Sequence, residues 1–118
     1  MPVSIHKIKT ALLEQARDNL MRARMELDRA YDCIRMGKAG ATLNAYETAS
    51  GAIDAASRFL YFAESCGLIS SDEAGYLFRE LEKLQMERFE FWHRCIWRAF
   101  VAGFPQCQEW IKVPRRIS

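Results

Sequence analysis

No uninterrupted apolar run in the 118-residue sequence approaches the roughly 18 residues that a membrane-spanning helix needs. The N-terminal stretch "MPVSIHKIKTALLEQ" lacks the apolar core of a secretory signal, so the chain is expected to stay in the cytoplasm and off the membrane. Proline occurs only three times and glycine six times, which argues against collagenous and disordered chains. The four cysteines (Cys33, Cys66, Cys95, Cys107) form no C-x-x-C pair. Each lies within or beside an apolar pattern, so they are expected to be reduced, small hydrophobes rather than a disulfide framework. Charge of one sign is also scarce. The formal net charge is +2, and arginine outnumbers lysine without forming a block, so global charge is only weak evidence for nucleic-acid binding.

What is present is helical periodicity. Apolar residues make up 50% of the chain and charged residues 27%, a globular balance that suits a single domain over 1–118. Ile5, Ile8, Leu12, Ala16, Leu20, Ala23, Leu27, Ala30 and Ile34 recur at spacings of three and four between a Ser4 cap and Gly37. After "GKAGA", the segment "NAYE" offers a capping box, with Asn44 at the cap and Glu47 three residues on. A second stripe follows: Tyr46, Ala49, Ile53, Ala56, Leu60 and Ala63. Gly51 in its middle costs about 1 kcal/mol and is expected to be compensated by close approach of a neighbouring backbone. Gly67 reads as a left-handed cap with Leu68 supplying the accompanying apolar contact, and "SSDE" restarts the chain with Ser70 and Glu73 as a second capping box.

The third stripe opens as Ala74, Leu77, Leu81 and Leu84. It then broadens, because Phe78, Phe89, Trp92, Ile96 and Phe100 form a second row beside Phe91 and Cys95. "GFP" breaks this helix, and Pro105 can open a short terminal turn over "QCQEWI". The expected fold class is all-α: an elongated antiparallel bundle of three long helices (about 4–36, 43–66 and 71–101), a short C-terminal helical turn, and a flexible basic end over 112–118.

The hairpin "YETASGAIDAASRFLYFAESCGLISSDEAGYLFRELEKL" (46–84) resembles the central hairpin of a bacterial four-helix-bundle family. That family contains the intervening-sequence proteins of large ribosomal RNA genes and the accessory variability proteins of diversity-generating retroelements. The likeness rests on the small-residue helix "ASGAID", the "GLIS" turn at Gly67 to Ser70 and the acidic restart. It covers about a third of the chain, and it implies a four-helix bundle, oligomerisation and a nucleic-acid-associated role. It carries over no catalytic residue.

Catalytic patterns are sparse. Arg88 and His93 make R-x-x-x-x-H, which is similar to the signature of HEPN ribonucleases, where an arginine and a histidine act on an RNA 2′-hydroxyl and phosphate. The family usually places a polar residue after the arginine, whereas Phe89 stands here. Residues five apart also lie about 140° around an α-helix. Glu90 and His93 make E-x-x-H, the ligand step of di-iron bundles, but the other histidine, His6, has Val3 at the matching position. No glycine-rich phosphate loop occurs, and Ser50 beside Gly51 lies in a helical pattern rather than on a strand-to-helix elbow. No enzyme, metal, cofactor or small-molecule substrate is therefore expected.

Binding features are stronger. All three tryptophans fall after Arg88, together with Phe89, Phe91, Phe100 and Phe104, and basic residues outnumber acidic ones from Arg88 to Ser118. The segment "RFEFWHRCIWRAF" (88–100) is too broadly apolar for one helical seam. Clusters of tryptophan and arginine have the composition of protein-binding hot spots, and they can also stack nucleobases. The expected function is that of a non-enzymatic interaction protein, a homo-oligomer with the dimer as first choice. Its expected partner-binding residues are Arg88, Phe91, Trp92, Arg94, Trp97, Arg98, Phe100 and Trp110. Another protein is the first partner class and nucleic acid the second, with a ribonuclease using Arg88 and His93 third.

Overall fold

A computed structural model describes residues 4–98 of the chain. The turn expected after Pro105 and the basic end over 112–118 lie outside the described residues. The fold is all-α, with α1 over Ile5–Arg35, α2 over Ala39–Ser65, α3 over Gly75–Phe91, and a π-turn over Trp92–Ile96. No strand occurs among the described residues. The chain divides into two compact units at the step from Arg88 to Phe89, inside α3.

In the first unit, α1 buries Ala16, Leu20, Ala23, Leu27, Ala30 and Cys33. The start of its stripe stays exposed: Ile5 and Ile8 lie outside the core. Ser4 begins the helix through its backbone, since its carbonyl accepts the Ile8 N–H at 3.1 Å. Its side chain makes no capping bond, which corrects the hydroxyl cap expected there. The helix ends on Gly37, whose φ of 72° is the left-handed conformation that favours glycine. Lys38 N–H reaches back to the Cys33 carbonyl and Gly37 N–H to that of Ile34, the bonding of a Schellman motif.

The second helix then starts at Ala39, a full turn before the Asn44 cap predicted for it. Asn44 lies inside the helix, where its carbonyl accepts the Thr48 hydroxyl at 2.9 Å. The physical reason is burial. Thr42 and Ala45 extend the apolar face by one turn, and the Thr42 hydroxyl is satisfied by the Lys38 carbonyl at 2.7 Å. Gly51 is also corrected. It is exposed, and nothing lies within 4 Å of the place a Cβ would occupy, so no backbone approaches it.

What brings α1 and α2 together is alanine. Ala16, Ala23 and Ala30 repeat every seventh residue of α1, and Ala45, Ala49, Ala52, Ala56 and Ala63 are buried on α2. Helix separation is set by the side chains between the axes, so alanines permit the closest approach in the usual range. The Cα atoms of α1 and α2 come repeatedly within 8 Å of one another, an approach that no other pair of described helices sustains.

The second helix also ends in a Schellman motif, at Gly67 with φ of 73°. Leu68 N–H bonds the Ala63 carbonyl and Gly67 N–H that of Glu64. The Ser70 and Glu73 capping box forms in both directions, with Glu73 N–H on Ser70 Oγ at 3.2 Å and Ser70 N–H on Glu73 Oε1 at 3.3 Å. It caps a turn over 71–74 rather than the helix itself, and α3 begins at Gly75. Ala74, Leu77, Leu81 and Leu84 are buried, as their spacing predicts.

Because leucine holds axes farther apart than alanine, α3 is tied to the hairpin partly by polar side chains. Arg24 of α1 pairs with Glu87 and lies 3.7 Å from Glu80. Lys9 pairs with Glu73, and Arg88 reaches Asp54 of α2 at 2.9 Å. Phe78 meets Tyr61 edge to face with ring centres 5.4 Å apart.

In the second unit regular α-helical bonding is interrupted after Phe91: the Trp97 N–H bonds the Trp92 carbonyl, five residues back, and α-helix resumes over 97–98, while 99–101 of the expected helix lie outside the described residues. An i→i+5 bond sets residues five apart nearly above one another. Phe91 and Ile96 are five apart, and both are buried. The π-turn thus gathers two apolar residues that a continuous α-helix would point in different directions.

Candidate functional site

The segment singled out by its composition separates into residues with distinct uses. Arg88 is half-buried, and its guanidinium donates to Asp54 Oδ1 at 2.9 Å and toward the Ser50 carbonyl at 3.5 Å. That pairing joins α3 to α2. Phe91 is fully buried and offers no surface to a partner. The exposed residues are Phe89 (64%), Trp92 (36%), His93, Arg94 and Arg98, with Trp97 half-buried. Phe100 and Trp110 lie outside the described residues.

The local backbone explains the display. Phe89 and His93 are four residues apart, and their rings lie against each other with centres 4.2 Å apart at a 45° tilt. The imidazole thus lies tilted against the ring of Phe89. Glu90 is exposed as well. Among the described residues no group of three or more histidine, cysteine or carboxylate side chains is gathered in metal-binding fashion. Cys33 is buried, as a small hydrophobe would be, but Cys66 is exposed at the end of α2 and Cys95 is half-buried.

A second surface carries no catalytic pattern and was not apparent from the main stripes. Between α1 and α3, within the first unit, lies an open groove of about 620 Å³. Its walls include Leu20, Met21, Met25, Leu77 and the Tyr76 ring, and Met21, Met25 and Tyr76 are each half or more exposed. The Arg17 guanidinium donates across the groove to the Tyr76 hydroxyl at 3.0 Å. That bond raises the Arg17 pKa above its ordinary value, and the bond to Glu87 does the same for Arg24. Both groups therefore stay cationic at every working pH. The signal in the sequence was the i, i+4 pair Met21 and Met25, which lies off the buried stripe of α1.

Near the start of α3, Glu73 is held below the ordinary carboxylate value, first by its bond from Lys9 and then by the Ser70 N–H. This is a stabilised loop contact rather than a reactive acid. No described helix is long and apolar enough to cross a membrane. Comparison with protein-family models, with curated proteins and with solved structures returns no match to this chain.

Proposed function

We propose that this chain is a non-enzymatic helical interaction protein that assembles with its own copy and binds a protein partner through the segment from Phe89 to Arg98. The observation that carries the proposal is the display of two aromatic rings, Phe89 and Trp92, beside the exposed arginines Arg94 and Arg98. Aromatic rings and guanidinium groups that reach the surface together have the composition of interface hot spots, where they supply most of the binding energy. Arg88, in the first unit, is engaged with Asp54 and is left out of the proposed contact. The shared work of Phe89 and His93, ring against ring, favours recognition over proton transfer.

The test is affinity capture from the native host with the full chain, run in parallel with and without nuclease. Capture of one identified protein should survive nuclease treatment and be lost in Trp92→Ala and Arg94→Ala, with helicity by circular dichroism unchanged. Capture that disappears with nuclease, or binding to RNA that falls steeply with salt, would instead assign the segment to nucleic acid. RNA cleavage that is lost in His93→Ala would make the chain a ribonuclease and sink the proposal.

A further inference from the structure

We infer that the groove between α1 and α3 is a second docking site, and that its occupant is an acidic amphipathic helix of a partner protein. The inference is independent of the aromatic segment. Three features of the groove point to that occupant: its lining, its length and its charge.

The lining is apolar at the floor and flexible at the walls. Leu20 and Leu77 are buried beneath it, while the exposed side chains of Met21 and Met25 stand along α1. Methionine is unbranched and polarizable, and it recurs in grooves that accept helices because it repacks around the entering side chains. The length fits a helix. From Arg17 to Met25 the α1 wall rises about 12 Å, and a bound helix places anchors at i, i+4 and i+7 over about 10.5 Å. Two turns of a helix would thus fill the groove from end to end.

The charge selects the sign of the partner. Arg17, Arg24, Arg79 and Lys83 stand around the groove against one carboxylate, Glu80. Arg24 is committed to Glu87 and Glu80, and Arg17 to the Tyr76 hydroxyl. Arg79 and Lys83 are exposed and have no hydrogen-bond or ion-pair partner among the described residues. Their two cationic groups on the α3 rim complement carboxylates flanking an apolar stripe, and they would repel a basic helix. The chain's own basic C-terminal stretch, "KVPRRIS", has the wrong sign to fill the groove.

The experiment uses the full chain and two labelled helical peptides with identical leucines at i, i+4 and i+7, one flanked by glutamates and the other by lysines. Fluorescence anisotropy should show the acidic peptide binding at least about tenfold more tightly than the basic one at low salt. The double substitution Arg79→Glu with Lys83→Glu should invert that preference, and because both side chains are exposed the fold should be unaffected by circular dichroism. Trp92→Ala should leave peptide binding in place, which separates this site from the aromatic one. Equal affinity for the two peptides, binding of neither, or an unchanged preference in the double variant overturns the inference. So does a dimer that Met25→Lys converts to monomer, because a second copy would then be the occupant.

Discussion

The two long faces of α1 solve the same problem in opposite ways. Against α2, α1 presents alanine every seventh residue, and the Cα atoms of the two helices come repeatedly within 8 Å. Toward α3 it presents Met21, Met25 and arginines, and a groove stays open. Small side chains permit contact between main chains and leave nothing to exchange. Long ones hold the helices apart and leave a surface with its own shape and charge. The alanine side is therefore where stability is concentrated, and the methionine side is where an interaction can be gained or lost without unfolding the chain.

The contrast is open to direct attack. The largest effect should come from Leu27→Ala: Leu27 is fully buried, and its loss should cost about 2–5 kcal/mol in urea unfolding. Next is Ala23→Leu, which would force a branched side chain into the alanine seam and destabilise by about 1–3 kcal/mol or more. Met25→Leu, a swap to the same residue at similar volume on the exposed groove side, should change stability by no more than about 0.5 kcal/mol. Equal losses for Ala23→Leu and Met25→Leu would erase the distinction between the two faces. Gly51→Ala should stabilise by about 0.4–1 kcal/mol, since the site is helical, exposed and empty around the missing Cβ.

The smallest effect concerns pH. Because the folded state lowers the Glu73 pKa, the folded chain binds fewer protons there than the unfolded chain does. Its contribution is complete above the ordinary carboxylate value and is lost as pH falls through the lower, folded value. Glu73→Gln should therefore lower stability slightly at neutral pH, leave it nearly unchanged at acid pH, and so flatten the acid limb of the profile, read by thermal unfolding across pH.

Much of this architecture was legible before any coordinates. The stripes Leu20 to Ala30, Ala49 to Ala63 and Ala74 to Leu84 are all buried, because period and burial express the same geometry. Gly37 and Gly67 both serve as left-handed caps, since no other residue type adopts that conformation as readily. Starts were harder to place. Asn44 and Glu47 make a good cap pattern, yet Thr42, two residues upstream, is buried, so tertiary packing overrode a local preference. Gly51 misled for a related reason: a small residue beside alanines looks like a close contact, but it lies on the opposite side of the helix from them.

The candidate surfaces were read unevenly. Trp92, Arg94 and Arg98 are exposed, whereas Phe91 is core, and a count of aromatics cannot tell a floor from a face. The groove was missed because its residues belong to two helices that are distant in sequence. A stripe-by-stripe reading detects what each helix buries and not what two helices leave uncovered between them.

The π-turn at Trp92–Ile96 amounts to one residue more than an α-helix would accommodate over the same rise. It therefore acts as a slack link: deleting one residue there would restore the α-helical repeat and leave Trp97 and Arg98 facing nearly as they do now, so this stretch tolerates a change of length that a regular helix would not.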